Sequence, residues 1–224
     1  MHPVRVDRNM ALRYLGSLGT KDEQLLAALE QAALLVEQTA QPRHSVFAAP
    51  ITQSADGVQF SGTTLCLPGK DIASLLNESH LGLLFCATLG SEIERLINRW
   101  QLKDLSFAAM LDACASSAVE VYCDSIASEL AAQYASEGLY LTDRFSPGYG
   151  DLPLGVQSSL CAVLDTPRRI GVQVSSSSLL SPRKSVTAVI GISTFPQPMR
   201  DRCSGCSQYH TCPFRKEGAT CADP

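Results

Sequence analysis

Long apolar runs are missing from this sequence, and a class of function goes with them. No stretch approaches the roughly 20 uninterrupted apolar residues that a membrane-spanning helix needs. The N-terminus, Met1-His-Pro-Val-Arg-Val-Asp-Arg8, lacks the apolar core of a signal peptide. The expectation is a cytoplasmic protein with no membrane partner. An excess of positive charge is missing as well. Lys and Arg total 18 against 22 Asp and Glu, a net charge of −4, which gives no general attraction to phosphate backbones. Nucleic acid is therefore not an expected partner. Internal repeats and long linkers are also absent.

What is present fits a soluble domain. The 224 residues, 45% apolar and 18% charged, are enough for one real core with room for a small appendage. Nine cysteines are unusual for a cytosolic chain, where thiols stay reduced and clusters of them tend towards metal or redox chemistry. Five (Cys66, Cys86, Cys114, Cys123, Cys161) lie scattered among apolar residues and read as small core side chains. The other four fall within the last 22 residues, a composition shift that marks a separate tail.

Apolar steps of three and four residues at Leu25, Leu26, Leu29, Ala32, Ala33 and Val36 predict a helix over 22–39. Short β-branched runs at 46–48, 58–60 and 63–66, punctuated by Asp56-Gly57 and Ser61-Gly62, predict strands and tight turns. Asp71 is expected to cap a short helix, and 81–88 to form a buried strand. Ser91 and Glu94 have the spacing of a capping box. A long helix is expected over 105–134, with Phe107, Leu111, Cys114, Ala118, Val121 and Ile126 inward. On it, Glu120, Asp124 and Glu129 read as a solvated face or, less simply, as ligands. A helix over 154–164 and strands over 169–174 and 185–192 complete the pattern. Helix, strands, helices, strands is an α+β order rather than a βαβ alternation.

The segment Arg144-Phe-Ser-Pro-Gly-Tyr-Gly-Asp151 concentrates the chemistry. Pro147 fixes one backbone angle, while Gly148 and Gly150 open conformations closed to other residues. Such a turn holds its N–H and C=O groups in place for a polar ligand. Arg144 can take a carboxylate through two parallel hydrogen bonds, and Tyr149 offers a flat face to an adenine ring or a sulfonium cation. A rigid structural turn with a surface arginine explains the same residues without a ligand.

Arg144-Phe-Ser-Pro-Gly-Tyr149, followed by Gln157, Leu164-Asp165, Ile170-Gly171 and Leu180-Ser-Pro-Arg-Lys-Ser-Val-Thr187, resembles the activation domain of vitamin B12-dependent methionine synthase over about residues 142–193. Upstream, Phe85-Cys-Ala-Thr-Leu-Gly90 and the alanine-rich helix through Glu120 resemble free-standing members of that family. The resemblance implies a bent antiparallel sheet with helices packed around it, here over 1–198. It implies S-adenosylmethionine binding at Arg144, Pro147, Gly148 and Tyr149. Asp7 falls where the family has an aspartate near the cofactor's amino group, though a plain exposed aspartate fits equally well. The family's tyrosines after the last strand have no counterpart in Thr194-Phe-Pro-Gln-Pro-Met199, where Phe195 is the nearest substitute. The implied role is reactivation of a corrinoid methyltransferase by reductive methylation, which needs an electron donor such as flavodoxin or ferredoxin. No Asp-x-His-x-x-Gly corrinoid signature surrounds His2, His44, His80 or His210, so the cobalamin is expected on a separate corrinoid-binding methyltransferase subunit.

The tail, 199–224, places Cys203, Cys206, Cys212 and Cys221 in a C-x2-C-x5-C-x8-C pattern. Four thiolates suit either a [4Fe-4S] cluster or zinc, with His210 able to replace one ligand. Arg200, Arg202, Arg215 and Lys216 would favour the thiolate form. Two other readings stay open: an iron–sulfur electron-transfer activator with a vestigial cofactor cleft, and an assembly protein docking through a zinc knuckle.

Overall fold

The computed structural model describes residues 4–196 and Thr211; Cys203, Cys206, Cys212 and Cys221 lie outside the described residues. The main sheet is antiparallel, six strands in the order β3-β2-β1-β4-β8-β5, beside a separate β6-β7 hairpin. Its strands are β1 (Arg43–Ser54), β2 (Gly57–Phe60), β3 (Cys66–Leu67), β4 (Leu81–Thr88), β5 (Tyr140–Leu141) and β8 (Ser185–Ser193). Helices pack around them, so the α+β class expected from the element order is the observed one. The described residues fall into two compact units. One comprises those within Met1–Ser45, Cys86–Leu130 and Asp165–Val186, the other those within Val46–Phe85, Ala131–Leu164 and Thr187–Pro224.

In the first unit, α1 (Arg8–Tyr14) and α2 (Glu23–Thr39) start on aspartates. Asp7 Oδ1 accepts from Met10 N, and Asp22 Oδ1 accepts from Gln24 N and Leu25 N. Arg8 ties the two helices together through Glu30 at 2.9 Å and Glu37 at 2.8 Å. The hydrogen bond and charge of Arg8 hold the Glu30 carboxyl below its usual range. Leu29, Ala32, Ala33 and Val36 are buried as their periodicity predicts, whereas Leu26 is exposed. In α4 (Ser91–Gln101) the N-cap is Gly90, at φ 85°, with no side-chain cap bond. The expected Ser91–Glu94 capping box is thus not formed, because Ser91 already lies inside the first turn.

The helix α5 (Leu105–Ala135) runs within a residue of expectation. Its buried side is broader than one stripe, taking in Tyr122 and Cys123 while Phe107 and Val121 are half-buried. Small residues such as Ala113, Ala115, Ser117 and Ala118 permit that close packing. Burial pushes the Cys114 thiol up to about 12, so it is an inert core group. Of the strand expected over 169–174, only the last two residues are strand: 169 ends a helix, 170 is a turn and 171–172 are irregular. Asp165, at φ 48°, and Pro167 start α7 (Thr166–Arg169), and only β6 (Gln173–Val174) pairs, with β7 (Leu180–Ser181). Ile170 and Val172 owe their β-like composition to burial instead.

In the second unit, the second residue of β4 is Gly82, where a Cβ would meet Phe60 Cζ at 2.5 Å and Ile51 Cγ2 at 2.7 Å. That close approach lets Phe60 be fully buried beside Leu83, Leu84 and Phe85. Next comes α3 (Lys70–Leu75), whose N-cap is Gly69 rather than Asp71. A turn of 3-10 helix (Leu154–Val156) leads into α6 (Gln157–Leu164). Within α6 the buried Gln157 Oε1 accepts from Thr187 Oγ1 of β8 at 2.7 Å. Two of the residues singled out by sequence resemblance therefore meet as a buried polar pair.

Candidate functional site

The Arg144–Asp151 turn begins as an extension of the sheet edge. Beyond β5, Thr142 N donates to Gly191 O, and Phe145 exchanges both backbone hydrogen bonds with Val189 at 2.9 and 2.8 Å. Arg144, half-buried, is carried on this paired backbone. Buried Pro147 then turns the chain, and Gly148 and Gly150 take φ values of 91° and 51°. These are conformations in which an L side chain is strained. Tyr149 N donates to Ser146 O, Leu152 N to Tyr149 O and Gly148 N to Leu152 O, closing a tight ring of backbone bonds. The ring of Tyr149 meets Phe145 edge-on at 6.2 Å and is 60% exposed.

The far end of the turn is fixed by Asp151. Its Oδ2 accepts from Lys70 N at 2.6 Å and its Oδ1 from Asp71 N at 3.1 Å. The start of α3 is capped from 80 residues away, which corrects the expectation that Asp71 is the cap. In return Asp71 Oδ2 accepts from Asp151 N at 3.1 Å. The backbone bonds from Lys70 and Asp71 hold the Asp151 carboxyl below its ordinary 3.8.

Of the other residues marked by sequence, Asp7 is half-buried in the first unit. Its N–H donates to Ser117 Oγ at 2.9 Å, its carbonyl accepts from that hydroxyl at 2.8 Å, and its side chain caps α1. Phe195 is 66% exposed just beyond β8, and its carbonyl accepts from Ser193 Oγ. Tyr140, which sequence reasoning passed over, pairs with Ser193 and is 42% exposed. A two-residue strand leaves almost no periodic signal, so only an aromatic beside the turn could have drawn attention to it. Glu120 is half-buried, Asp124 and Glu129 are exposed, and among the described residues no cluster of three or more His, Cys, Asp or Glu could hold a metal ion.

Two clefts lie away from the turn. One of about 720 Å³ is lined by Tyr14, Leu105, Asp112 and Arg183, and another of about 770 Å³ by Phe47, Thr63, Ser159 and Val163. Neither includes a residue of the turn.

No family model and no curated protein matches the sequence. Among solved structures, the crystal structure of the MetH reactivation domain bound to AdoHcy is similar with a TM-score of 0.66 at 14% identity. The likeness covers 96% of this chain and 82% of that one. At that identity the likeness concerns the path of the backbone and does not transfer individual residues. The chain has the fold of the MetH reactivation domain.

Proposed function

We propose that the protein is a reactivation module for a cobalamin-dependent methyltransferase such as methionine synthase. In this reading it binds S-adenosylmethionine at the Arg144–Tyr149 turn and works on cobalamin carried by a partner chain. The observation that supports it is a coincidence in one chain. The fold is that of a domain crystallised with AdoHcy, and an Arg-x-x-Pro-Gly-Tyr turn stands on an exposed edge of it. Arg144 would take the ligand's carboxylate through a charge-assisted pair. Tyr149 would cover the flat or cationic part, with Tyr140 and Phe195 as further exposed aromatics in the same unit. The bound cofactor supplies an electrophilic methyl group. The chain's own work is orientation, with no protein nucleophile or general base required.

Titration calorimetry with AdoHcy tests the reading. The wild-type chain is expected to bind, and Arg144→Ala to bind roughly 10- to 100-fold more weakly, as loss of a charged hydrogen-bonded pair costs about 1.5–3 kcal/mol. A wild-type chain that takes up no AdoHcy sinks it.

A second reading rests on the clustering of four cysteines in the last 22 residues. There Cys203, Cys206, Cys212 and Cys221 hold an iron–sulfur cluster and the chain is an electron-transfer activator. With zinc in place of the cluster, the tail is a docking knuckle. Iron and acid-labile sulfide assayed after anaerobic purification decide between them, since colourless protein with stoichiometric zinc excludes the cluster.

A further inference from the structure

We propose that Asp71 and Asp151 are positioning residues for the ligand turn, a reciprocal clasp in which each carboxylate accepts backbone N–H groups from the other's segment. The inference deepens the functional reading above and, for its effect on affinity, rests on it.

Three hydrogen bonds make the clasp: Lys70 N and Asp71 N to Asp151, and Asp151 N to Asp71. Two glycines make room for it. At Gly69, φ 122°, a Cβ would stand 2.5 Å from Asp151 Oδ1, and at Gly150 a Cβ would collide with Asp71 Oδ2. Each carboxylate therefore lies against a glycine backbone of the opposite segment, a fit that needs four residues at once. The backbone N–H groups of Lys70 and Asp71 also hold the Asp151 carboxyl below its ordinary range.

The consequence is for Tyr149. Its backbone lies between two anchors, the Phe145–Val189 bridge on one side and the clasp on the other. Gly148 and Gly150 supply the freedom that lets the intervening peptide adopt positive φ. The same freedom would let it wander in the absence of a second anchor, because glycine loses the most conformational entropy on ordering. The turn's own backbone bonds set its shape and the bridge ties its Arg144 side to the sheet, but neither ties its Asp151 side to a second segment. The clasp removes the remaining freedom before the ligand arrives, so that binding does not bear the ordering cost.

The test has two arms on the full-length chain. The first measures amide hydrogen exchange without ligand. A clasp predicts reciprocity: Asp71→Ala speeds exchange at Asp151 and also at Lys70 and Asp71, because Asp151 loses its own tether. Exchange that rises only at Asp151 overturns the clasp. The second arm measures AdoHcy affinity at a temperature where every variant is folded. Asp71→Ala and Asp151→Ala are expected to weaken binding about tenfold, the scale of one charge-assisted hydrogen bond. Asp71→Asn keeps one acceptor oxygen for the single N–H it serves and restores affinity to within about twofold. Asp151 uses both oxygens, so Asp151→Asn recovers only part. Wild-type affinity in both alanine variants, with their exchange accelerated, overturns the positioning role. A wild-type chain that binds no AdoHcy condemns the functional reading, and the exchange arm still decides the clasp.

Discussion

At Asp7 the backbone and the side chain answer to different neighbours. The backbone is bonded in both directions to Ser117, and Oδ1 caps α1. Asp7→Ala should therefore cost about 1 kcal/mol of stability through the lost cap, visible in chemical denaturation. Asp7→Asn retains an equally good cap but no charge. If the carboxylate also meets a ligand ammonium group, the Asn variant keeps its denaturation midpoint and binds AdoHcy about tenfold more weakly. Unchanged affinity assigns Asp7 to the helix alone. Asp151 permits a test by pH. Its folded pKa is depressed below the ordinary 3.8 by the N–H groups of Lys70 and Asp71. Its contribution to stability is thus fully present above that value and lost as pH falls through the lower folded pKa. Asp151→Asn should flatten the loss of stability in that acid range, read by thermal melting across pH 2 to 5; an unchanged profile refutes the assignment.

At the scale of elements, the helices show most clearly what kinds of information the sequence contains. The ends of α2 and α5 follow from local rules: an aspartate at the cap, apolar residues at three- and four-residue steps, small residues where packing is close. Asp22→Ala should destabilise the chain by about 1 kcal/mol, since two N–H groups of α2 lose their acceptor. The misread starts have different causes, one remote and one local. For α3 the cap comes from Asp151, and for α4 a positive-φ Gly90 serves where the Ser91–Glu94 pattern pointed one residue on. A cap delivered from 80 residues away has no local signature. The segment 169–174 misleads in another way: its β-branched residues report burial, not extension. Strand β4 was legible because it is continuously apolar, but the role of Gly82 was not, as it depends on Phe60 of a different strand. Gly82→Ala should cost about 1–3 kcal/mol by forcing Phe60 from its fully buried position, measurable as a lowered urea midpoint.

For the whole molecule, the Arg144–Asp151 segment was readable as a tight turn because proline and glycine constrain it within eight residues. Its support was not, since Asp71 and Val189 reach it only through the fold. The same distinction bears on function. On the proposed reading the turn serves one reactant, S-adenosylmethionine, and a corrinoid-binding partner supplies the other. That reading would have the donor methyl meet cobalt across a protein–protein contact, with the chain contributing orientation. Three mixtures separate the parts: a corrinoid-loaded methyltransferase with S-adenosylmethionine and reductant, alone, with this chain, and with its Arg144→Ala variant. Spectra of the cobalamin should show remethylation accelerated by the wild-type chain. Arg144→Ala should lose that acceleration while still migrating with the partner in gel filtration, because the substitution removes the ligand's anchor and leaves the docking surface intact. Equal rates in all three mixtures would defeat the reactivation role. An Arg144→Ala chain that neither accelerates nor associates would show instead that the turn itself belongs to the contact between the two proteins.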